Sequence, residues 1–427
     1  MAELHAPAVT RARAAADRYA TADLERLRRR MRWTLFAISA LGSTGYIAAV
    51  TVGTLVAAEI HGDATLGGVP TASATIGTAS AAALISGLML RIGRRAGLLL
   101  GLAVGLVGAV LVAAAVLASS IPVLLVGSAL TGFANGVGNL GRYIAADLVA
   151  ADRRASAVGM VVWGATLGAV TGPNLVAPAG DLAAGLGLPT LAGAYLVTAL
   201  FIGLAMTLAF VLLRPEPYEL AHPSAFHRVG EAAPASLGAL LWRPAVLVAL
   251  VTLVAGQVVM VLIMTMTPIH LTEHGHGLAT VGFVLSAHTF GMFALSPISG
   301  RLTDRFGALT VIAGGLATLA IAALLAAVAP PDGGLLLTLA LFLLGWGWNL
   351  GFVAGSSLLT RGLALGERTR VQGTADGLVW SSAAIASLSS GVVVAGASYT
   401  ALGLLAIGLL VAPAGLLLSR RSAVASS

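Results

Sequence analysis

Residues 260–307 read MVLIMTMTPIHLTEHGHGLATVGFVLSAHTFGMFALSPISGRLTDRFG, which is two apolar segments joined by a short histidine-rich turn. Each apolar segment predicts a helix, and residues four positions apart share one face of a helix. Met260 and Met264 therefore lie on one face of the first helix, and His288 and Met292 on one face of the second. An antiparallel hairpin would bring these two faces together. The stretch then ends in a loop of Arg, Asp and Gly.

Apolar segments of this kind recur along the whole chain. Of its 427 residues, 58% are apolar and 10% are charged, and the mean hydropathy is +0.96. Soluble domains carry about 25% charged residues, whereas apolar runs of about 20 residues are typical of membrane-spanning helices. No short alternating segments indicate barrel strands. The sequence predicts an all-α membrane protein with twelve transmembrane helices, near 33–58, 67–90, 97–118, 121–146, 155–178, 190–213, 245–267, 278–300, 309–329, 335–358, 372–394 and 400–419.

Charged residues follow a regular order along the chain. The formal net charge is +7, and all 24 basic residues are arginines. Every arginine falls in a tail or in alternate loops, while the intervening loops hold residues such as Glu59, Asp181 and Glu273. This pattern follows the positive-inside rule, so we expect a multi-pass protein of a bacterial cytoplasmic membrane with both termini in the cytoplasm. The basic charge sets orientation and contacts anionic lipid, and we expect no nucleic-acid partner.

The sequence contains no motif for several classes of function. The chain has no cysteine, which excludes disulfides and thiolate metal ligands. No enzyme motif, phosphate-binding loop or nucleotide site is present, so we expect neither catalysis nor a resident cofactor. The predicted partners are membrane lipid and a small-molecule or metal-ion substrate, and the predicted oligomeric state is a monomer.

The two halves of the chain resemble each other. Gly87 to Gly93 corresponds to Gly300 to Gly307, each after an even-numbered span, and Asn135 corresponds to Asn349. Two six-helix halves repeated in parallel are typical of secondary transporters. The predicted parts are a cytoplasmic tail (1–32), a first half (33–213), a cytoplasmic central loop (214–244), a second half (245–419) and a second tail (420–427).

Gly300-Arg-Leu-Thr-Asp304-Arg305-Phe-Gly307 resembles the loop motif of the major facilitator superfamily, at its expected place after span 8. The resemblance implies two pseudo-symmetric six-helix halves, and a gating loop that clamps neighbouring helix ends during alternating access. The first-half copy is one residue short and lacks the aspartate, although it keeps Arg94 and Arg95. We therefore expect a weaker or differently built clamp in the first half.

Span 5 contains Gly168, Gly172 and Pro173, which resemble the antiporter motif of the drug/proton branches of that superfamily. The resemblance implies export. Glycines also allow helices to approach closely, and proline bends a span. Helix packing therefore explains these three residues equally well.

Ionisable groups inside a membrane are costly and mark function. All 17 acidic residues fall in tails, loops or helix ends, with Asp147 and Asp376 near an interface, and His288 is the one ionisable side chain expected at mid-membrane. Thioether sulfur selects Cu(I), and imidazole also suits copper. Met260, Met264, His288 and Met292 thus form a candidate ladder of soft ligands.

The pattern M-x-x-x-M followed by H-x-x-x-M in spans 7 and 8 resembles the copper-importer branch that supplies cytochrome oxidase. This resemblance implies inward movement of copper as substrate. Methionine also fills gaps in apolar helices, and branches with similar hairpins carry other substrates, riboflavin among them. The alternative is proton-coupled efflux or uptake of a drug, a riboflavin-like vitamin or another metabolite, with Trp346 and Trp348 as a stacking wall. A sensor or assembly role is a third possibility.

Three amides lie within the predicted spans. Asn135, Gln257 and Asn349 are candidates for polar contacts lining the substrate cavity, since spans 4, 7 and 10 face the cavity in the superfamily. Each is equally suited to bonding between helices.

Overall fold

The computed structural model describes residues 21–61, 69–221, 236–275, 278–330 and 334–425, and these are almost entirely helical. A single 3-10 turn, Ala151–Arg153, precedes α6. The α-helices are Thr21–His61 (α1), Val69–Ile92 (α2), Arg94–Leu117 (α3), Ile121–Asn139 (α4), Gly141–Asp147 (α5), Arg154–Gly185 (α6), Ala192–Leu212 (α7), Pro217–Leu220 (α8), Leu237–Leu241 (α9), Pro244–Glu273 (α10), Leu278–Phe293 (α11), Ser296–Phe306 (α12), Ala308–Val328 (α13), Gly334–Leu358 (α14), Leu365–Gly396 (α15) and Tyr399–Ala425 (α16).

The predicted eighth span is broken in the structure. Eleven helical stretches among the described residues are long and apolar enough to cross a membrane, and α11 with α12 completes the predicted twelve. α11 ends at Phe293 and α12 begins at Ser296. Pro297 lies in the first turn of α12, where it has no N–H to continue the hydrogen-bond ladder. The sequence analysis treated this span as continuous, which is wrong at this proline.

The chain forms two compact units. Unit 1 comprises Met1–Ala151, Gly164–Pro234 and Ala364–Gly377. Within it α3 packs along α4 and α7, α2 along α4, and α1 along α7. Small residues allow this packing, as in other membrane bundles: a Cβ on Gly132 would collide with the Ala74 backbone, and the Thr78 hydroxyl donates to the Gly132 carbonyl at 2.9 Å.

Unit 2 comprises Asp152–Trp163, Ala235–Leu363 and Leu378–Ser427. Within it α14 packs along α13, α11 and α10, while α16 packs along α10 and α13. The same small-residue packing recurs, because a Cβ on Gly345 of α14 would collide with the His288 backbone of α11.

Two long helices divide between the units. Residues 154–163 of α6 belong to unit 2 and the rest of α6 to unit 1, while α15 up to Gly377 belongs to unit 1 and the rest to unit 2. The units therefore differ from the contiguous halves 33–213 and 245–419 by these two segments. Residues 154–163 contact Asp304 of the loop motif, and residues 364–377 contact Arg94 and Asp147. The candidate site begins at these contacts.

Candidate functional site

The loop motif in unit 2 caps a helix. The Asp304 carboxylate accepts the backbone N–H groups of Ala155 at 3.1 Å and Ser156 at 3.0 Å, which are the first free donors of α6. A Cβ on Gly300 would lie 2.8 Å from the Ala155 oxygen, so glycine is needed for this approach. Gly307 has φ +84°, a conformation that favours glycine, and precedes α13. Arg305 is exposed, with its guanidinium 5.3 Å from the Phe306 ring centroid.

The degenerate motif in unit 1 is surrounded by buried charge. Arg94 is 1% exposed, and its guanidinium donates to Asp147 at 2.9 Å and to the Gln372 side chain at 3.2 Å. Arg368 donates to the other Asp147 oxygen at 3.3 Å. Two guanidiniums thus neutralise one buried carboxylate, the arrangement that makes burial of a charge tolerable.

A second buried ion pair lies nearby in unit 1. Arg142 donates to an Asp376 oxygen, and the Tyr143 hydroxyl donates to the same oxygen at 3.1 Å. Asp376 is 2% exposed and lies within α15. The sequence predicted a loop position for Arg142, which instead lies in the short helix α5; the prediction that Asp376 lies near an interface stays a prediction. The two members of the pair lie on different helices, α5 and α15, so hydropathy alone does not reveal the pair.

Glu216, which the sequence analysis overlooked, caps α3. Its carboxylate accepts the backbone N–H of Arg94 at 2.7 Å and that of Arg95 at 3.2 Å. Burial raises the pKa of Glu216, and the two N–H bonds oppose that rise. Gly93 has φ +92°, and a Cβ there would lie 2.9 Å from the Glu216 carboxylate. The Arg95 guanidinium turns away and donates to the Phe210 carbonyl at 2.8 Å.

A narrow cleft with several polar lining residues lies in unit 1 between α1 and α4; it leaves about 20 Å³ for the centre of a water-sized sphere and is here named the amide cleft. Leu102 of α3 and Ile202 of α7 also line it. Among the described residues that line it, none is Met, His, Asp, Glu or Arg. Its polar lining residues are Ser39, Ser43, Tyr46, Thr131, Asn135 and Asn139. Asn135 was a predicted cavity residue, whereas Asn139, one turn further along α4, was missed.

The four predicted copper ligands all lie in unit 2. His288 is 1% exposed, and its Nδ1 donates to the Leu341 carbonyl of α14 at 2.9 Å, which leaves Nε2 without a hydrogen-bond partner in the described residues. Met260 is buried in α10, and Met264 and Met292 are half-buried. α11 packs mainly along α14 and meets α10 at few positions. The hairpin contact that was expected to join the two faces is thus a minor one.

The two other amides bond to helices of unit 2. Gln257 of α10 accepts the Trp348 indole N–H at 2.8 Å. Asn349 of α14 is 0% exposed and donates to the Met292 carbonyl at 2.6 Å and to the Ser296 hydroxyl at 2.7 Å, while it accepts from Ser299. It therefore bonds to both sides of the break at Pro297. The sequence allowed two interpretations of Asn349, cavity lining and bonding between helices. The contacts in the structure are of the second kind.

The glycines of span 5 face α1 within unit 1. A Cβ on Gly168 would lie 2.5 Å from the Thr44 backbone nitrogen, and one on Gly172 would lie 3.0 Å from the Thr44 oxygen. Pro173 follows inside α6, which remains helical through it. The positions show close helix packing, and direction of transport is not read from them.

A copper site built of thioethers and one imidazole stays a prediction. No group of three or more His, Cys, Asp or Glu side chains that could hold a metal occurs in the part of the chain that the structure describes. Among the four proposed copper ligands, His288 has a buried ring nitrogen, Nε2, that lacks a hydrogen-bond partner in the described residues. The described residues thus form a polytopic helical bundle with a narrow cleft, a loop-and-helix cap and buried ion pairs.

These features define a membrane transporter of a known class. The family model for the Major Facilitator Superfamily matches residues 33–280 and 248–426, and the chain belongs to that family of secondary transporters. The prediction of family and fold from the residue 300–307 motif is therefore confirmed.

Relatives and solved structures agree with this assignment. The uncharacterised MFS-type transporter YdeG of Bacillus subtilis is 38% identical over 87% of this chain and 88% of its own length. The riboflavin transporter RfnT of Brucella anthropi is 30% identical over 82% of this chain and 86% of its own. The human organic anion transporter MFSD10 shares the fold, with a TM-score of 0.74 at 20% identity over 91% of this chain and 99% of its own. Neither relative supports the copper-importer branch.

Proposed function

We propose that this chain carries an uncharged, hydrogen-bonding organic molecule of about vitamin size, with riboflavin-like compounds as the leading candidates. The amide cleft carries this proposal. Its side chains offer amide and hydroxyl groups, and the described lining residues contribute no charged group and no soft metal ligand. Such groups hold a neutral polar molecule by directed hydrogen bonds. An uncompensated charge would be poorly solvated there.

The relatives favour the same chemical class. RfnT, which is named as a riboflavin transporter, is similar to this chain over most of both lengths. Riboflavin combines a flat ring that has hydrogen-bonding edges with a hydroxylated chain. In unit 2, Trp348 stacks on Phe352 with ring centroids 4.5 Å apart and is fixed by Gln257. This ring is 7% exposed and packs inside unit 2, so the proposal rests on the amide cleft of unit 1.

The proposal is tested by uptake into vesicles that contain the purified protein. We expect saturable uptake of labelled riboflavin and little uptake of riboflavin phosphate, because the phosphate brings charge into a cleft without cations. Asn135→Ala should raise the KM about tenfold, the effect of losing one hydrogen bond worth about 1.4 kcal/mol. Asn174→Ala is the matched control, since Asn174 is exposed and bonds only to its own helix at Val170.

The competing copper hypothesis gives the opposite result. If copper uptake were saturable and abolished by His288→Ala, while riboflavin uptake did not exceed that of empty vesicles, the proposal would be wrong. The direction of transport and the coupling ion follow from the same vesicles, by imposing a pH gradient of either sign.

A further inference from the structure

Tyr195 is a buried tyrosine whose hydroxyl has no partner. Tyr195 is 2% exposed, and its ring packs into an apolar cluster with Val52, Val56 and Leu124. In the part of the chain that the structure describes, the hydroxyl forms no hydrogen bond. Most buried polar groups in proteins are paired, because an unpaired one bears the full loss of its hydration. An unpaired hydroxyl held in place by its own ring therefore indicates a missing partner.

The Tyr195 side chain lines a small recess in unit 1. The recess, here named the hydroxyl recess, leaves about 10 Å³ for the centre of a water-sized sphere and is lined by Gly53, Pro70, Thr71, Ser128, Thr131 and Tyr195 among others. Thr131 also lines the amide cleft. The two spaces therefore share one wall residue within the same unit.

Gly53 contributes open space rather than close packing. A Cβ at Gly53 would lie 3.6 Å from Pro70 and 3.9 Å from the Tyr195 hydroxyl, which are ordinary contact distances. By contrast, a Cβ at Gly45 on the same helix would lie 3.1 Å from the Thr198 backbone oxygen. Helix contact thus requires glycine at position 45 but not at position 53. At position 53 the missing side chain leaves room next to an unpaired donor.

We propose that the hydroxyl recess is a ligand subsite of this transporter, in which Tyr195 donates a hydrogen bond to a carbonyl oxygen or ring nitrogen of an uncharged organic ligand. The space suits one water-sized group, such as a carbonyl oxygen at the end of a larger molecule. The substrate class rests on the proposed function, while the subsite rests on Tyr195 and its recess. Thr131 lines both spaces, so the hydroxyl recess adjoins the amide cleft within unit 1.

Two variants test the subsite. Tyr195→Phe keeps the ring and removes only the hydroxyl, and Gly53→Ala places a methyl group in the recess without a steric clash. Both should leave the melting temperature of the ligand-free protein unchanged or raise it, because no native bond is lost. Both should raise the KM for riboflavin about tenfold.

Tyr399→Phe is the matched control. The Tyr399 hydroxyl is also buried, but it bonds to Thr267 at 2.8 Å in unit 2. Its removal should lower the melting temperature and leave the KM unchanged. The melting temperature and the KM therefore respond differently in the two variants. This difference distinguishes a hydroxyl that binds a ligand from one that stabilises the fold.

Binding of nicotinamide, a neutral ring with a carbonyl acceptor, tests the subsite independently of transport. We expect it to raise the melting temperature of the wild-type protein in a saturable way, and to do so much less in Tyr195→Phe and Gly53→Ala. This result supports the subsite even if riboflavin is not transported, in which case only the proposed function fails. The subsite is overturned if saturating nicotinamide leaves wild-type melting unchanged, or if Tyr195→Phe destabilises the protein as Tyr399→Phe does.

Discussion

In unit 2, the loop of residues 300–307 carries an aspartate, and Asp304 binds the first backbone N–H groups of α6 directly. In unit 1, the corresponding residues 87–95 carry no aspartate, and Glu216, which is 121 residues from Arg95, caps α3 instead. Beside it, buried arginines bind Asp147 and Asp376. Both caps join distant parts of the chain, 149 residues apart for Asp304 and Ala155 and 121 for Glu216 and Arg95, but the loop in unit 2 supplies its own carboxylate whereas the loop in unit 1 receives one.

This difference explains how a degenerate motif can persist. A helix N-terminus requires an acceptor for its free N–H groups and favours negative charge. It does not matter which segment supplies the carboxylate. The sequence predicted a weaker or differently built clamp in the first half. The geometry within unit 1 agrees with a differently built one, because buried ion pairs make electrostatics more important there.

The largest effect should come from breaking a buried pair in unit 1. Arg142→Met leaves the Asp376 carboxylate buried without its cation, which should lower the free energy of unfolding by about 3–5 kcal/mol. The double variant Arg142→Met/Asp376→Leu should recover most of that loss, because the pair is then replaced by apolar groups. Arg91→Met, at an exposed arginine of the same motif copy, is the control. Equilibrium unfolding in detergent measures all three, and equal losses in the single and double variants would contradict this account.

The second prediction compares the first glycine of each motif copy. In Gly300→Ala, the new Cβ would lie 2.8 Å from the backbone of Ala155 and Ser156, so we expect a loss of about 1–3 kcal/mol from overpacking. In Gly87→Ala nothing lies within 4 Å of the new Cβ, and the better helix propensity of alanine should stabilise α2 by up to about 1 kcal/mol. Melting temperatures that fall equally in both variants would show that the two loops are packed alike.

The sequence predicts features whose interacting residues are close together in the chain better than contacts between residues that are far apart in it. Gly300, Asp304 and the helices were predicted because a motif and an apolar run are local signals. Pro297 was visible too, and a helix-breaking residue inside span 8 should have predicted the interruption. The pairing of Arg142 with Asp376 joins residues 234 positions apart. Only tertiary packing decides whether such charges face water or each other.

The candidate site shows the same limit. An amide inside an apolar span is a strong signal, so Asn135, Gln257 and Asn349 were all identified. Sequence could not decide between cavity and helix contact, since that depends on which neighbour each amide faces. Asn135 lines a cleft, whereas the other two bond to neighbouring helices. His288 bonds to the Leu341 carbonyl of α14 through Nδ1, a contact that the sequence did not predict, and its expected approach to the methionines of α10 stays a prediction.

The third prediction tests whether the two caps are equivalent. Asp304→Ala and Glu216→Ala each remove the acceptor of two backbone N–H groups, and each should cost about 0.5–2 kcal/mol. Asp152→Ala is the control for the first, because Asp152 is an exposed acid just before α6. Glu219→Ala is the control for the second, because it lies in the same short helix α8. Unfolding curves that show a loss for only one of the two caps would mean that the carboxylates play unequal roles.

The smallest effect is a pH dependence that belongs to unit 1. Burial raises the pKa of Glu216 above its ordinary value of 4.5; neighbouring Glu219 adds to the rise, and the backbone N–H groups of Arg95 and Arg94 and the Arg94 charge oppose it. A carboxyl whose pKa is raised by folding binds more protons in the folded state. Its stabilising contribution is therefore full below pH 4.5 and is lost as the pH rises through the folded pKa.

Glu216→Gln cannot titrate, so it isolates this contribution. The melting temperature of the wild type minus that of Glu216→Gln should be larger at about pH 4.5 than at about pH 7.5. Asp152→Asn serves as the control, since Asp152 is an exposed acid away from Glu216, and its difference from wild type should change less with pH. A difference between wild type and Glu216→Gln that stays constant with pH would mean that water reaches the carboxylate. The cap in unit 1 would then be as exposed as an ordinary surface acid, and the contrast with unit 2 would rest on the arginine pairs alone.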